Sequence, residues 1–516
     1  MTQDGNDGDP HGRGRDDRFG SARQHALMRA GGTSSVFDDR HHISWWHAEN
    51  RPEMSASRVM SRGQKYTALL VSSVSGSAFI VAPVPTLTIL IGIATLFYLF
   101  SVGYKVRLAI RALSGTRELV IHPDSLDATP DEKLPFYTIL VPLYHEANVL
   151  ADLVDAISRI DYPPDRLEVK LLLEKDDPDT RAAADRMELP QNFEKMVVPA
   201  GTPKGKPRAC NYGLLYARGR YVVLLDAEDR PEPDQLRQAA AAFEQSGPKT
   251  ACVQAKLSYY NSEQNLLTRW FTAEYSSWFD LYLPGLHGGG VPIPLGGTSN
   301  HFDVRILRTL GAWDPFNVTE DADLGIRLAR DGYETRVIDS VTYEEANSEL
   351  GNWLRQRSRW VKGYMQTWLV HMRDPARLWR ELGTDGFLAV QAMILGTVFT
   401  SLALPIFWTL TVLWFTTNSQ FIHDLFPWYV YYPALLALVL GNSAVLYLGL
   451  AGLMRRGAYP LVKYAILLPA YWLLITAGAY RGLYQLVVKP FYWEKTRHGL
   501  TPEARSATDP LPKHAE

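Results

Sequence analysis

The sequence predicts an α/β domain inserted between transmembrane α-helices, and three observations predict it. Residues 66–104, 387–423 and 425–454 hold 106 residues without one Asp, Glu, Lys or Arg, and all 108 charges fall in the other 410 residues. A bilayer core needs about 20 apolar residues per helical crossing, and globular cores seldom run so long without a charge, so these blocks read as membrane-spanning. Between them, residues 105–386 alternate apolar runs with polar turns in the rhythm of strands and helices. The residues just after those runs are acidic, where an open parallel sheet binds its ligands.

The composition also excludes classes. A mean hydropathy of −0.14 suggests a soluble protein only because it averages charge-free blocks with charged ones. With 53 Lys+Arg against 55 Asp+Glu the net charge is −2, without the basic surplus that nucleic-acid binding requires, so no nucleic-acid partner is expected. Cys210 and Cys252 are the only cysteines and can build neither a disulfide framework nor a multi-cysteine zinc site.

Residues 1–65 carry ten basic and nine acidic residues among Gly, Ser and Asp, and read as a disordered cytosolic tail. His41, His42 and His47 beside Trp45 and Trp46 lack the regular spacing of metal ligands. Residues 66–104 break at Pro83 and Pro85 into two crossings, a helical hairpin. Basic residues flank both ends (Arg58, Arg62, Lys65; Lys105, Arg107, Arg111), which places them in the cytoplasm. Residues 105–386 then form one cytosolic domain, with buried parallel strands at 137–141, 169–173 and 221–225 and helices at 149–160 and 235–245. Two more transmembrane helices occupy residues 387–454. Residues 455–490 contain Pro469 and Arg481, and form an interfacial helix or a further crossing. Residues 491–516 complete the chain.

Three motifs in the middle segment can carry chemistry. Asp226-Ala227-Glu228-Asp229 follows a strand and offers hard oxygen ligands for Mg²⁺ or Mn²⁺ shared with substrate phosphates; the alternative is a solvated helix N-terminus. Thr319-Glu320-Asp321-Ala322-Asp323 opens a helix and could be a cap alone. Gln356-Arg357-Ser358-Arg359-Trp360 supplies an amide, a guanidinium suited to phosphate and an aromatic face for a sugar; the alternative is an amphipathic interfacial helix.

Their order, after Glu146 at the end of the first strand and framed by membrane helices, resembles the processive family 2 glycosyltransferases, the group of cellulose, hyaluronan, chitin and mixed-linkage glucan synthases. The resemblance covers about residues 110–500. It implies an α/β GT-A domain, Rossmann-like and binding a nucleotide sugar, at residues 105–386. Val141, Pro142, Tyr144 and Glu146 match the family's first strand end, which puts Glu146 on the nucleoside. The family's Asp-Asp-Gly is replaced here by Glu174-Lys175-Asp176-Asp177, so Glu174 or Asp176 takes that role. Lys206 and Asn211 match a segment lining the nucleotide pocket, and its spacing is not that of a P-loop.

By the same resemblance Asp226 and Glu228 hold the metal, with Asp229 in reserve, and Asp321 is the general base. Gln356, Arg359 and Lys495 join the donor-binding set. Thr298 and Ser299 in the Gly296-to-Asn300 loop, with Glu320 and Trp360, contact the acceptor. The reaction is inversion at the anomeric carbon, giving a β-linkage. Phe491-Tyr492-Trp493-Glu494-Lys495-Thr496 resembles a cytosolic gating loop, which favours the interfacial reading of residues 464–488 and four crossings with both termini inside. Too few residues follow Gly499 for a cyclic-dinucleotide-binding barrel.

The expectation is a multi-pass plasma-membrane (inner-membrane) enzyme that polymerises a sugar, UDP-glucose first, onto a growing polysaccharide and translocates it. Export or periplasmic subunits are its candidate protein partners. The alternatives are a nonprocessive lipid-linked sugar synthase and a noncatalytic membrane subunit that binds nucleotide sugar. Motif identity does not reveal the sugar or linkage, because selectivity rests on a few hydrogen-bond partners.

Overall fold

The computed structural model describes residues 36–115, 118–122, 126 and 129–500. Part of the expected tail, residues 1–35, and the C-terminal residues 501–516 lie outside the described residues.

Eight strands form one curled mixed sheet: β1 (Tyr137–Leu143), β2 (Leu167–Glu174), β3 (Phe193–Val198), β4 (Tyr221–Leu224), β5 (Arg230–Pro231), β6 (Thr250–Tyr259), β7 (Asn300–Asp303) and β8 (Glu334–Glu344). Their spatial order is β3-β2-β1-β4-β7-β6-β8-β5. β3, β2, β1 and β4 are parallel, β7 runs antiparallel between β4 and β6, and β6 and β8 are parallel. The expected runs at 137–141, 169–173 and 221–225 are β1, β2 and β4, because both faces of this sheet are covered. On β1, Ile139 and Val141 enter one apolar cluster with helices Leu150–Ser158 and Gln235–Ser246, while Leu140 enters the other, on the membrane-helix side. A strand buried on both faces has few polar positions, hence the nearly continuous apolar runs; Lys170 within β2 is buried and pairs with Glu194 at 2.7 Å.

Among the described residues three helical segments are long and apolar enough to cross a membrane: Pro83–Leu113, Pro375–Thr417 and Trp428–Arg455. The first expected crossing, at residues 66–82, is helix Arg62–Val81, which has no buried residue and is not among them. Its Ser, Gly and Thr residues dilute the apolar content below that of the other spans. Tyr459–Ala465 and Leu468–Val488 bend by 73° and would make a fourth as one broken span. Helix Leu468–Val488 lies against helix Leu350–His371, and the approach requires glycine: a Cβ at Gly482 would stand 2.7 Å from the Ser358 carbonyl oxygen.

The tail expectation needs correction for residues 36–61. Helix Val36–Asn50 and the turn after it are folded onto the domain, with Ile43, His47, Met54, Ser55 and Ala56 buried. Arg373 donates to the carbonyls of Pro52 (2.8 Å), Glu53 (3.0 Å) and Ser55 (2.9 Å), and Asp314 accepts the Ala56 N–H at 2.5 Å. These tertiary partners are 258 to 321 residues away in sequence, beyond any local pattern.

Candidate active site

Because β1, β2 and β4 are parallel, their carboxyl ends share one edge of the sheet, and the acids that follow them face one cavity of about 560 Å³. Glu146, Glu174, Lys206, Asp226, Glu228, Glu320, Asp321, Gln356, Arg359, Trp360 and Lys495 all line it. Eleven of the sequence-derived site residues therefore meet, although they span 350 positions of chain.

Lys206 opens helix Lys206–Leu215, pairs with Asp226 and donates to the Gly297 carbonyl at 2.7 Å. Burial opposes its charge, but Asp226 and Glu320 outweigh burial and hold the ammonium above its ordinary range. Burial pushes Glu174 up to about 7 despite Arg208 beside it. Burial and then the neighbouring Asp226 push Glu228 well up, and burial with Asp229 and Glu228 does the same to Glu344. This concentration of acids is one that a divalent cation relieves. Among the described residues no three His, Cys, Asp or Glu side chains form a ready-made cage. Two carboxylates completed by substrate phosphates is how Mg²⁺ is commonly held, so Asp226 and Glu228 fit the ion.

Glu320 and Asp321 start helix Glu320–Arg330, opposite the strand ends. Burial, then Asp321, pushes Glu320 up to about 7, and burial raises Asp321 as well. A carboxylate so raised is a stronger base than a solvated one. Helix Leu350–His371 crosses this helix start at Gly363, where any Cβ would collide with Thr319. That approach brings Arg359 and Trp360 to the cavity. Arg359 Nε has no partner among the described residues, and the guanidinium lies 5.4 Å from the Trp493 ring. Trp360 stacks beside Tyr275, with centroids 6.1 Å apart.

Gly297, Thr319, Asp321, Tyr275 and Trp360 also line a second cavity of about 290 Å³ beside the long apolar helices. Tyr98, Thr400, Leu404 and Asn442 are walls of that cavity and of a third, about 150 Å³. Asp321 and Trp360 thus wall both the strand-end cavity and the second one.

Four residues sit elsewhere than the sequence reading places them. Asp176 is exposed and pairs with Lys204 at 2.6 Å, so Glu174 is the acid at the cavity. Asn211 is structural: its Nδ2 donates to the carbonyls of Ile43 (3.2 Å) and Trp313 (2.9 Å), and its Oδ1 accepts the Trp313 N–H. Thr298 donates to the Leu224 carbonyl at 3.0 Å and to Asp229, and Ser299 donates to Thr342 at 2.6 Å; both are buried beneath the cavity floor. The reserve ligand Asp229 is likewise closed in, accepting the Asp226 N–H at 2.6 Å.

The structure adds residues that the sequence reading missed. His498 Nδ1 lies 2.7 Å from Glu228, and Lys495 pairs with Glu146, so residues 493–498 cross the cavity mouth. Lys204 stands 3.7 Å over the Tyr144 ring, and Glu344 and Glu345 extend the acidic wall from the end of β8. The Phe491-to-Thr496 motif pointed to this segment, but nothing in the pattern singled out His498.

Residues 138–296 match the model for glycosyl transferase family 2, and residues 221–475 match that for glycosyl transferase family group 2. The probable glycosyltransferase YdaM of Bacillus subtilis is 27% identical over 45% of this chain and 56% of its own length. Beta-monoglucosyldiacylglycerol synthase of Trichormus variabilis is 27% identical over 52% of this chain and 57% of its own. The probable glucomannan 4-beta-mannosyltransferase 7 of Oryza sativa subsp. japonica is 24% identical over 56% of this chain and 50% of its own. The chain thus spans about half the length of the curated relatives it matches. The solved mannosyltransferase PcManGT from Pyrobaculum calidifontis, in complex with GDP-Man and Mn²⁺, overlaps 78% of this chain and 99% of its own at 20% identity and a TM-score of 0.49. Two glycosyltransferase family 2 models thus overlap at residues 221–296, the stretch that carries Asp226 and Glu228 to the strand-end cavity.

Proposed function

We propose that the protein is an inverting, processive β-glycosyltransferase of the plasma membrane. In this reading it takes a nucleotide sugar from the cytoplasm, UDP-glucose being the first donor to test, and passes the growing polysaccharide between its own helices. The observation that carries the reading is the shared position of Asp321 and Trp360, which wall both the strand-end cavity and the cavity beside the long apolar helices. An acceptor reaching Asp321 from the membrane side already lies in a path along which it can advance.

The donor's nucleoside lies toward Glu146 and Glu174, and its diphosphate toward Lys206 and Arg359. A divalent cation held by Asp226 and Glu228 would neutralise diphosphate charge when bound. Asp321 takes the proton of the acceptor hydroxyl as that oxygen attacks the anomeric carbon from the face opposite the diphosphate. The bond from that carbon to the diphosphate oxygen breaks, and Arg359 and Lys206 meet the charge that collects there. Attack from the opposite face converts an α-linked donor into a β-linked product. Trp360 offers its ring to the newly added sugar.

A second reading, a nonprocessive glycolipid synthase, is favoured by the third cavity, whose walls include Phe399, Phe407, Leu410, Trp414 and Leu438 and would suit an acyl chain. The likeness to a monoglucosyldiacylglycerol synthase points the same way. Purified membranes given radiolabelled UDP- and GDP-sugars decide between them. Polymer of many sugars supports the processive reading, and lipid products bearing a single sugar replace it with the second.

A further inference from the structure

The end of helix Pro83–Leu113 carries three basic residues near the domain, and they are not treated alike. Arg107 forms a bidentate pair with Asp385 at 2.6 and 2.7 Å, and Arg111 reaches the same carboxylate at 3.4 Å. Lys105 faces the other way, into the cavity behind Trp360, and among the described residues no acceptor lies within hydrogen-bond or ion-pair distance of its ammonium. Glu274 on that wall is already engaged: Arg357 holds both its oxygens at 2.6 and 2.7 Å, and the Tyr471 hydroxyl donates to it at 2.6 Å. Asp321 lines the same cavity, yet among the described residues Lys105 is a cation on this wall that no carboxylate touches.

That charge lies among Leu257, Phe279, Tyr282 and Leu295, in a cavity that an acceptor would empty of water. An ammonium stripped of water and left without a contacting anion is unfavourable. An occupant that displaces the water and brings its own anion removes that cost. We propose that Lys105 belongs to an acceptor subsite for an anionic group, a carboxylate or phosphate, carried by the acceptor behind the hydroxyl that Asp321 deprotonates. The inference rests on the acceptor path proposed above and names the chemistry of what moves along it. Two sources share this chemistry: an acidic substituent on a sugar of the growing chain, and the phosphate of a lipid.

The test uses the full-length protein in lipid nanodiscs with four acceptors: a neutral glucose oligosaccharide, the same oligosaccharide bearing a glucuronate, diacylglycerol, and a polyprenyl phosphate. Nucleotide release gives KM and kcat for each, and donor hydrolysis without acceptor controls for an intact donor site. Wild type is expected to favour an anionic acceptor. Lys105→Gln should raise KM for it by roughly tenfold or more, leave donor hydrolysis and the neutral acceptors unchanged, and be rescued by Lys105→Arg. Preference for the glucuronate oligosaccharide assigns the anion to the polymer, and preference for polyprenyl phosphate assigns it to a lipid. Wild-type use of neutral acceptors as readily as anionic ones overturns the inference without any variant, as does an equal effect of Lys105→Gln on both kinds. Product length separates the two proposals. Single-sugar products with a Lys105-dependent anionic acceptor refute processivity alone, whereas long neutral polymer made equally by wild type and Lys105→Gln refutes the subsite alone.

Discussion

His371 Nε2 lies 3.1 Å from Asp323 Oδ1 and fastens the helix that carries Trp360 to the helix that carries Asp321. The other Asp323 oxygen accepts from Arg327 Nε at 2.7 Å, and Arg327 in turn reaches His47 at 3.2 Å and the Ala312 carbonyl at 2.9 Å. All four side chains are buried. A polar chain thus runs beneath the site from the folded N-terminal segment to the helix of the Gln-x-x-Arg-Trp motif. Burial opposes the charge of Asp323, yet Arg327 and His371 outweigh it and hold the carboxyl well below the usual range.

Asp323→Asn should therefore destabilise the protein, because it leaves Arg327 buried without its counter-charge. Breaking such a pair costs about 3–5 kcal/mol. Thermal unfolding of the detergent-purified variant should show a clear fall in midpoint. An unchanged midpoint would show that the chain does not brace the two helices.

The pH dependence of stability should contain a contribution from buried neutral histidines, His47 and His301 among them. Burial lowers His47 and His301 to about 3 each, against 6.5 for an exposed imidazole. Between those values the unfolded chain binds protons that the folded one refuses. The stabilisation is complete above pH 6.5 and is lost as the pH falls toward 3, by about 1.4 kcal/mol per pH unit for each histidine. The raised carboxyls of Glu174 and Glu320 contribute the opposite slope over the same range, so the histidine part is read as the difference between wild type and His47→Gln. Urea unfolding at pH 7, 6 and 5 should show wild type losing stability relative to the variant as the pH falls, and a difference that does not change with pH contradicts the assignment.

Asp321→Asn should keep the fold and donor binding but lose the base, lowering kcat by about 10²–10⁴-fold with little change in donor KM. Initial rates with radiolabelled donor measure both. Equal turnover by variant and wild type would move the base elsewhere, with Glu320 next in line.

Thr400 walls both the second and third cavities, so Thr400→Trp should narrow the passage between them without touching the strand-end site. Shorter products at an unchanged rate of donor hydrolysis are expected. Product lengths equal to those of wild type would mean that the chain leaves by another route.

Much of this was readable in sequence. The α/β domain between charge-free blocks and the parallel strands β1, β2 and β4 lie where the pattern put them, and eleven of the fifteen proposed site residues line one cavity. Apolar runs and strand-end acids are local signals, and a parallel sheet gathers strand ends by construction. The misplacements share a cause. Asn211, Thr298 and Ser299 belong to matching segments, but their partners, Ile43, Trp313, Leu224 and Thr342, are distant in sequence and turn them away from the cavity.

By itself the sequence determined the chemistry available: which carboxylates, guanidinium and indole the chain owns, and the charge-free helices that bracket them. Only the tertiary structure decided which of these meet. Asp321 and Asp323 look alike in Thr-Glu-Asp-Ala-Asp, yet two residues along an α-helix rotate a side chain by about 200°. One carboxylate therefore faces the cavity, and the other is buried against Arg327 and His371. The same dependence on packing set Lys105 apart from Arg107 and Arg111, because the direction in which a helix presents a charge is fixed by what it packs against.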